Sequence, residues 1–229
     1  MTTKLKICGI TRLEDARYAA AAGADYLGFI QYPGSPRYIT PERVRDIAEW
    51  IHGPQPVGVF VNTPADVVNR TAEKAGFALV QLHGKESVSD IMDIEYPVIK
   101  AFRIAPDMTS DGLYRLMRTY EDVAAHFLLD AYSDKMYGGS GRTFDWRVAS
   151  PPAGGAREPV EQPTRSGSPG IFLAGGIHAG NVAEAIRTLR PFAVDVSSGL
   201  ESAPGEKDFS RIDAFMQAFR SVHSELETG

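Results

Sequence analysis

Three short strings place reactive or phosphate-binding groups just past apolar runs: LKICGIT around Cys8, FLLDAY around Asp130, and FAVDVSSG from Asp195 to Gly199. Cys8 is the one cysteine of the chain. It sits where an apolar run meets Gly9, so its thiol is expected to point from a strand end into a cavity. Most free cysteines are small buried hydrophobes. A thiol at such a rim position can instead serve as base or nucleophile, provided something favours the thiolate over a free thiol of pKa about 8.5. Lys6, two residues back on the same run, is a candidate source of positive charge. Asp130 follows HFLL, where an unpaired buried carboxylate is costly. In a partly desolvated mouth it can hold a proton and deliver it as a general acid; the plainer reading is a turn cap near Tyr132.

The strings AGGI at Ala174–Ile177 and DVSSG at Asp195–Gly199 carry the phosphate signal. Glycines Gly175, Gly176 and Gly199 let backbone N–H groups approach phosphate oxygens, and Ser197 and Ser198 add hydroxyl donors. Arg37, in YPGSPRYIT, is a planar cation suited to a substrate carboxylate, against the plain reading of a surface arginine. Gln81 and His83, in VQLHG, are expected as polar contacts at the mouth. The five histidines show no paired spacing, so no metal site is expected at His83.

Such residues need elements that bring them to one end of a fold. Eight apolar runs recur along the chain: Leu5–Cys8, Tyr26–Ile30, Val57–Val61, Leu79–Leu82, Val98–Phe102, His126–Leu129, Ile171–Ala174 and Ala193–Val196. Helix signals lie between them. DARYAAAAG stops at Gly23, Thr40-Pro41-Glu42 opens a second helix, and Thr63-Pro64 opens a third. Continuous apolar strands joined by helical crossovers imply a parallel sheet covered by helices, and eight units predict a single (β/α)8 barrel spanning residues 1–229. CGIT is not the G-x-G-x-x-G turn of a doubly wound sheet. Barrel enzymes carry their chemistry at the carboxyl ends of the strands, where all three opening strings fall. YGGSGRTFDW, after the sixth strand, reads as a pliable lid. Residues 150–170, rich in Pro, Gly and charge, read as a mobile loop between the sixth helix and the seventh strand.

Composition narrows the classes. With 229 residues and 43% hydrophobic content the chain can bury a large core, and a formal net charge of -5 gives no basic footprint for nucleic acid or an anionic membrane. No run reaches the roughly 18 apolar residues of a membrane span, and MTTKLKICGI lacks a signal-peptide core. A lone cysteine cannot form an internal disulfide. The chain is expected in the cytoplasm, with a small phosphorylated molecule as partner and either a monomer or a homodimer as assembly.

Taken together, KICGIT, GADYLGFI, YPGSPRYI, VGVFVN, VQLHG, LLDAY, YGGSGRTFDW, LAGGI and FAVDVSSGLE resemble, in order and nearly end to end, the phosphoribosylanthranilate isomerase family. The resemblance implies an Amadori rearrangement of N-(5-phosphoribosyl)anthranilate to 1-(2-carboxyphenylamino)-1-deoxyribulose 5-phosphate in tryptophan biosynthesis, without cofactor or metal. It casts Cys8 as general base, Asp130 as general acid and Arg37 as the anthranilate carboxylate contact. Gly175, Gly176, Ser197 and Ser198 fall on the phosphate cradle, and Asp195 on a ribose contact. Two features depart from the family pattern. Gln31 stands near the anthranilate side where an apolar aromatic is more usual, and residues 150–170 are longer and more polar than a compact member needs. The competing readings are another phosphosugar aminoaldose isomerase and a catalytically silent phosphate-binding barrel; the pairing of Cys8 with Asp130 argues against both.

Overall fold

In the computed structural model, which describes residues 2–131, 143–150 and 169–228, eight parallel strands close into a barrel. They are β1 (Lys4–Cys8), β2 (Tyr26–Ile30), β3 (Gln55–Phe60), β4 (Leu79–Leu82), β5 (Val98–Ile104), β6 (His126–Ala131), β7 (Gly170–Leu173) and β8 (Ala193–Val196). Each pairs with its neighbours in sequence, and β1 closes on β8 with Lys6 opposite Asp195. Among the described residues seven helices cover the outside: α1 (Leu13–Ala22), α2 (Pro41–Ala48), α3 (Ala65–Ala75), α4 (Val88–Met92), α5 (Ser110–Arg118), α6 (Val182–Leu189) and α7 (Phe209–Thr228).

The helix ends follow from local chemistry. Gly23 closes α1 at φ 100°, a left-handed conformation that costs glycine little. Thr40 caps α2 by accepting the N–H of Arg43 at 3.3 Å, with Pro41 at the first helical position, where its missing N–H costs nothing. Pro64 itself stands just outside α3, so that helix begins one residue later than Thr63-Pro64 predicts.

Strand parity divides the core. Leu5, Ile7, Leu27, Phe29, Phe60, Val80, Leu82, Leu173, Val194 and Val196 face outward into the layer under the helices. Tyr26, Val57, Leu79, Ile99, Ala101, Leu128, Phe172 and Ala193 fill the barrel interior. Residues of that inward parity lying nearer the carboxyl ends form the mouth.

The sixth crossover is described only at residues 143–150 and 169. Its described part holds one 3-10 turn, Trp146–Ala149, capped by Asp145, which accepts the N–H of Arg147 at 3.1 Å. Pro151 and Pro152 follow at once, and the residue before a proline is driven out of helical conformation. Of the lid expected over YGGSGRTFDW, residues 137–142 lie outside the described residues, as do all but the ends of the expected loop at 150–170. Past β8 the chain makes a 3-10 turn, Ser198–Leu200, and an antiparallel hairpin of β9 (Glu201–Ala203) and β10 (Glu206–Lys207). Among the described residues no helix is long and apolar enough to cross a membrane.

Candidate active site

The mouth of the barrel is a concave pocket that gathers the candidate catalytic and binding residues Cys8, Arg37, Gln81, His83, Asp130, Gly175, Gly176, Asp195, Ser197, Ser198 and Gly199, with the candidate cation Lys6 buried beneath. Ile30, Tyr32, Val59 and Val61 supply an apolar wall.

Cys8 ends β1 with 5% of its surface exposed. Opposite it on β2 stands Gly28, and a Cβ built there would fall 2.5 Å from the Cys8 sulfur. Glycine at 28 is therefore what leaves room for the thiol. Burial pushes the Cys8 thiol above its ordinary pKa, and Lys6 draws it back part of the way. Lys6 is fully buried and donates to Asp195 Oδ1 at 2.9 Å. Burial disfavours its charge, but Asp195 and Cys8 leave its pKa raised.

Asp130 lies within β6 rather than past its end, with 4% exposure and inward parity. Its Oδ2 is 3.2 Å from His83 Nε2, and His83 Nδ1 is 2.8 Å from Gln81 Nε2. His83 thus bridges Gln81 and Asp130, its two ring nitrogens donating or accepting according to the tautomer. Gln81 Oε1 is then buried without a partner among the described residues.

Arg37 is not the surface arginine of the plain reading. Its Nε donates to Glu201 Oε1 at 2.9 Å and its Nη2 to Glu201 Oε2 at 2.6 Å. Glu201 also accepts from Lys207 Nζ at 2.9 Å, and Lys207 donates further to the carbonyls of Cys8 at 2.6 Å and Ser197 at 3.3 Å. Burial alone would raise the Glu201 carboxyl, but Arg37 and Lys207 hold it below the usual range. Gly9 lets this group assemble over the end of β1: a Cβ there would lie 2.8 Å from Arg37 Cδ and 3.0 Å from Ser197 Oγ. Glu201 and Lys207 were not singled out from the sequence, since charged residues in a Pro-Gly hairpin read as solvated.

Gln31 corrects an expectation. It turns away from the mouth and donates to the carbonyl of Ile39 at 3.1 Å, while its neighbours Ile30 and Tyr32 line the pocket. The alternation of an extended chain leaves this wall of the pocket apolar despite the glutamine.

The sequence pattern of the N-(5'phosphoribosyl)anthranilate (PRA) isomerase family matches residues 5–218. The chain belongs to that family. It is an isomerase of the tryptophan-biosynthetic class, similar at 42% identity over 226 residues to N-(5'-phosphoribosyl)anthranilate isomerase of Pelobacter propionicus, covering 97% of this chain and 98% of the relative. The Geobacter sulfurreducens enzyme is 46% identical over 215 residues, covering 93% and 97%. Among solved structures, the phosphoribosyl anthranilate isomerase of Thermotoga maritima superposes with a TM-score of 0.80 at 35% identity, covering 96% of this chain and 100% of that one. The Thermus thermophilus isomerase gives 0.79 at 36% identity, with the same coverage.

Proposed function

We propose that this mouth carries out the family's isomerisation by paired acid and base catalysis, with Asp130 as the acid and Cys8 as the base. The observation that carries the reading is the placement of Cys8 and Asp130 on separate strands, both buried and both lining one pocket. In the reaction, Asp130 gives its proton to the ribose ring oxygen as the C1–O bond breaks, and the nitrogen lone pair forms the Schiff base. That cation acidifies the C2 proton. The Cys8 thiolate removes it, the C–H electrons form the enolamine double bond, and tautomerisation yields the ketone of 1-(2-carboxyphenylamino)-1-deoxyribulose 5-phosphate.

The remaining groups bind. Gly175 and Gly176, both at positive φ, and Ser197, Ser198 and Gly199 form the phosphate cradle after β7 and β8, where barrels commonly place one. A solved phosphoribosyl anthranilate isomerase in complex with reduced 1-(o-carboxyphenylamino)-1-deoxyribulose 5-phosphate, 34% identical to this chain, supports a ligand of this chemistry. Arg37 has five N–H donors, and Glu201 takes one on Nε and one on Nη2; the remaining donors, those of Nη1 among them, are offered to the anthranilate carboxylate. Ile30, Val59 and Val61 take the ring, His83 and Gln81 contact the substrate beside Asp130, and Asp195 meets the ribose hydroxyls. We place the chain in the cytoplasm, where its lone thiol stays reduced, as a monomer or homodimer; the Thermotoga maritima relative is a dimer from which monomers have been made.

The test is loss of anthranilate fluorescence with phosphoribosylanthranilate generated in situ, with and without chelator. Turnover insensitive to chelator supports metal-free isomerisation. No turnover moves the weight to a related aminoaldose isomerase or a silent phosphate-binding barrel.

A further inference from the structure

We infer that the Lys6 ammonium is the counter-charge that lets Cys8 act as a thiolate, and that Asp195 is the positioning group that holds Lys6 for this task. The inference rests on the reading of Cys8 as the base and supplies what that reading lacks. A thiol with 5% exposure loses the solvation of its anion, so a buried base needs a cation brought to it by the fold.

Lys6 and Cys8 are two residues apart on β1 and share its inward face. Lys6 is fully buried, so its charge must be matched inside the barrel. Register places Asp195 directly beside it on β8, and one carboxylate oxygen accepts at 2.9 Å. An ammonium has three N–H donors, so Asp195 does not exhaust it. Cys8 stands two residues further along the same face of β1, where the Lys6 charge favours the thiolate. The layer beneath is apolar, with Val57, Ile99, Leu128 and Phe172 filling the interior. A buried ion pair in such a place is seldom needed for stability, since apolar side chains of similar volume often serve as well or better. Its presence next to the reactive sulfur is explained by a charge that works on that sulfur.

Among the described residues, the other charged groups around Cys8 are otherwise engaged. Lys207, from β10, donates to the Cys8 backbone carbonyl and to Glu201. Arg37 is forked on Glu201. His83 is paired with Asp130 across the mouth. The balance at the thiol agrees with this division: after burial, the pull from Lys6 is the largest influence, exceeding the opposing push from Asp195, and Lys207 contributes less. Lys6 keeps its proton throughout, so no extra proton transfer is introduced.

Because Cys8 is the only cysteine, its ionisation can be followed without substrate. The experiment measures the rate of iodoacetamide alkylation from about pH 6 to about pH 11, with the product checked by mass, in the wild type, Lys6→Met, Asp195→Asn and the double variant. Lys6→Met leaves Asp195 buried and unpaired; the double variant removes both charges and keeps the comparison open if the single variant fails to fold. The expected result is a thiol pKa raised by about one unit or more in Lys6→Met, and by a similar amount in the double variant relative to Asp195→Asn. An unchanged thiol pKa in the double variant relative to Asp195→Asn overturns the inference. Turnover is measured in parallel, with kcat of the lysine variants expected to fall about tenfold or more and the rise of kcat with pH displaced upward with the thiol. A shifted thiol with unchanged turnover supports the Lys6–Cys8 pairing and overturns the base role of Cys8, so the two failures are distinguishable.

Discussion

Arg37 and Glu201, separated by 164 positions in sequence, form a two-pronged ion pair at the rim of the barrel, with Nε–Oε1 at 2.9 Å and Nη2–Oε2 at 2.6 Å. The pair fixes the plane of the guanidinium before any ligand arrives, which lowers the ordering cost of binding a carboxylate. Glu201→Gln removes one anion from between two cations, Arg37 and Lys207. Expected is a stability loss of about 2 kcal/mol, below the 3–5 kcal/mol scale of fully buried pairs because the group lies at the mouth, and KM rising more than kcat falls. Arg37→Ala should likewise act mainly on KM. Chemical denaturation and steady-state kinetics check both; an unchanged KM in Arg37→Ala would mean that the carboxylate is held elsewhere.

The acid and base roles make a sharper demand. Cys8→Ala and Asp130→Ala should each lower kcat by about 100-fold or more, the usual scale for such groups, while substrate affinity stays near the wild-type value. Single-turnover kinetics separates the two quantities. Full turnover by either variant would remove that residue from its role.

Gly28→Ala tests the geometry behind the base without touching a charged group. The new methyl group would meet the Cys8 sulfur at 2.5 Å and the Cys8 Cα and Cβ at 3.1 Å, so the thiol must move. Overpacking of this kind costs about 1–3 kcal/mol. The accompanying fall in kcat, measured at a temperature where the variant is fully folded, should be about tenfold or more, since a misplacement of about 1 Å can cost up to 100-fold. Wild-type kcat in a folded Gly28→Ala would show that the reaction does not depend on where the thiol sits.

Much of this architecture is legible in the sequence because parallel strands buried on both faces read as unbroken apolar runs. All eight runs are strands, with boundaries moved by at most two residues. Parity then sorts the polar residues: Lys6, Cys8, Gln81, His83, Asp130 and Asp195 share the inward face with Tyr26, Val57 and Ile99. Gln31 was misplaced by a single step of the same alternation. Glu201 and Lys207 were missed for a different reason. Their burial arises from contacts with Arg37 and with the Cys8 carbonyl, 164 and 199 positions away, and no local pattern in SGLESAPGEKD signals it.

His126 gives the stability a dependence on acid that is separate from catalysis. It lies at the amino end of β6, stacked on Phe192 at 4.6 Å and edge-on to Phe172 at 5.3 Å. Burial first, and the nearby Lys4 second, lower its pKa from 6.5 to about 4. The unfolded chain binds a proton at this residue near pH 6.5, whereas the folded barrel resists doing so until about pH 4. Between those values the unfolded state holds more protons, so stability falls as the pH drops through the window and this residue adds no further loss below it. The full depression corresponds to about 3 kcal/mol. His126→Phe removes the titrating group from the aromatic cluster. Urea unfolding of both proteins at about pH 7 and about pH 4.5 should show a smaller loss on acidification in the variant, whatever its absolute stability. Equal losses in the two proteins would place the acid sensitivity in other groups.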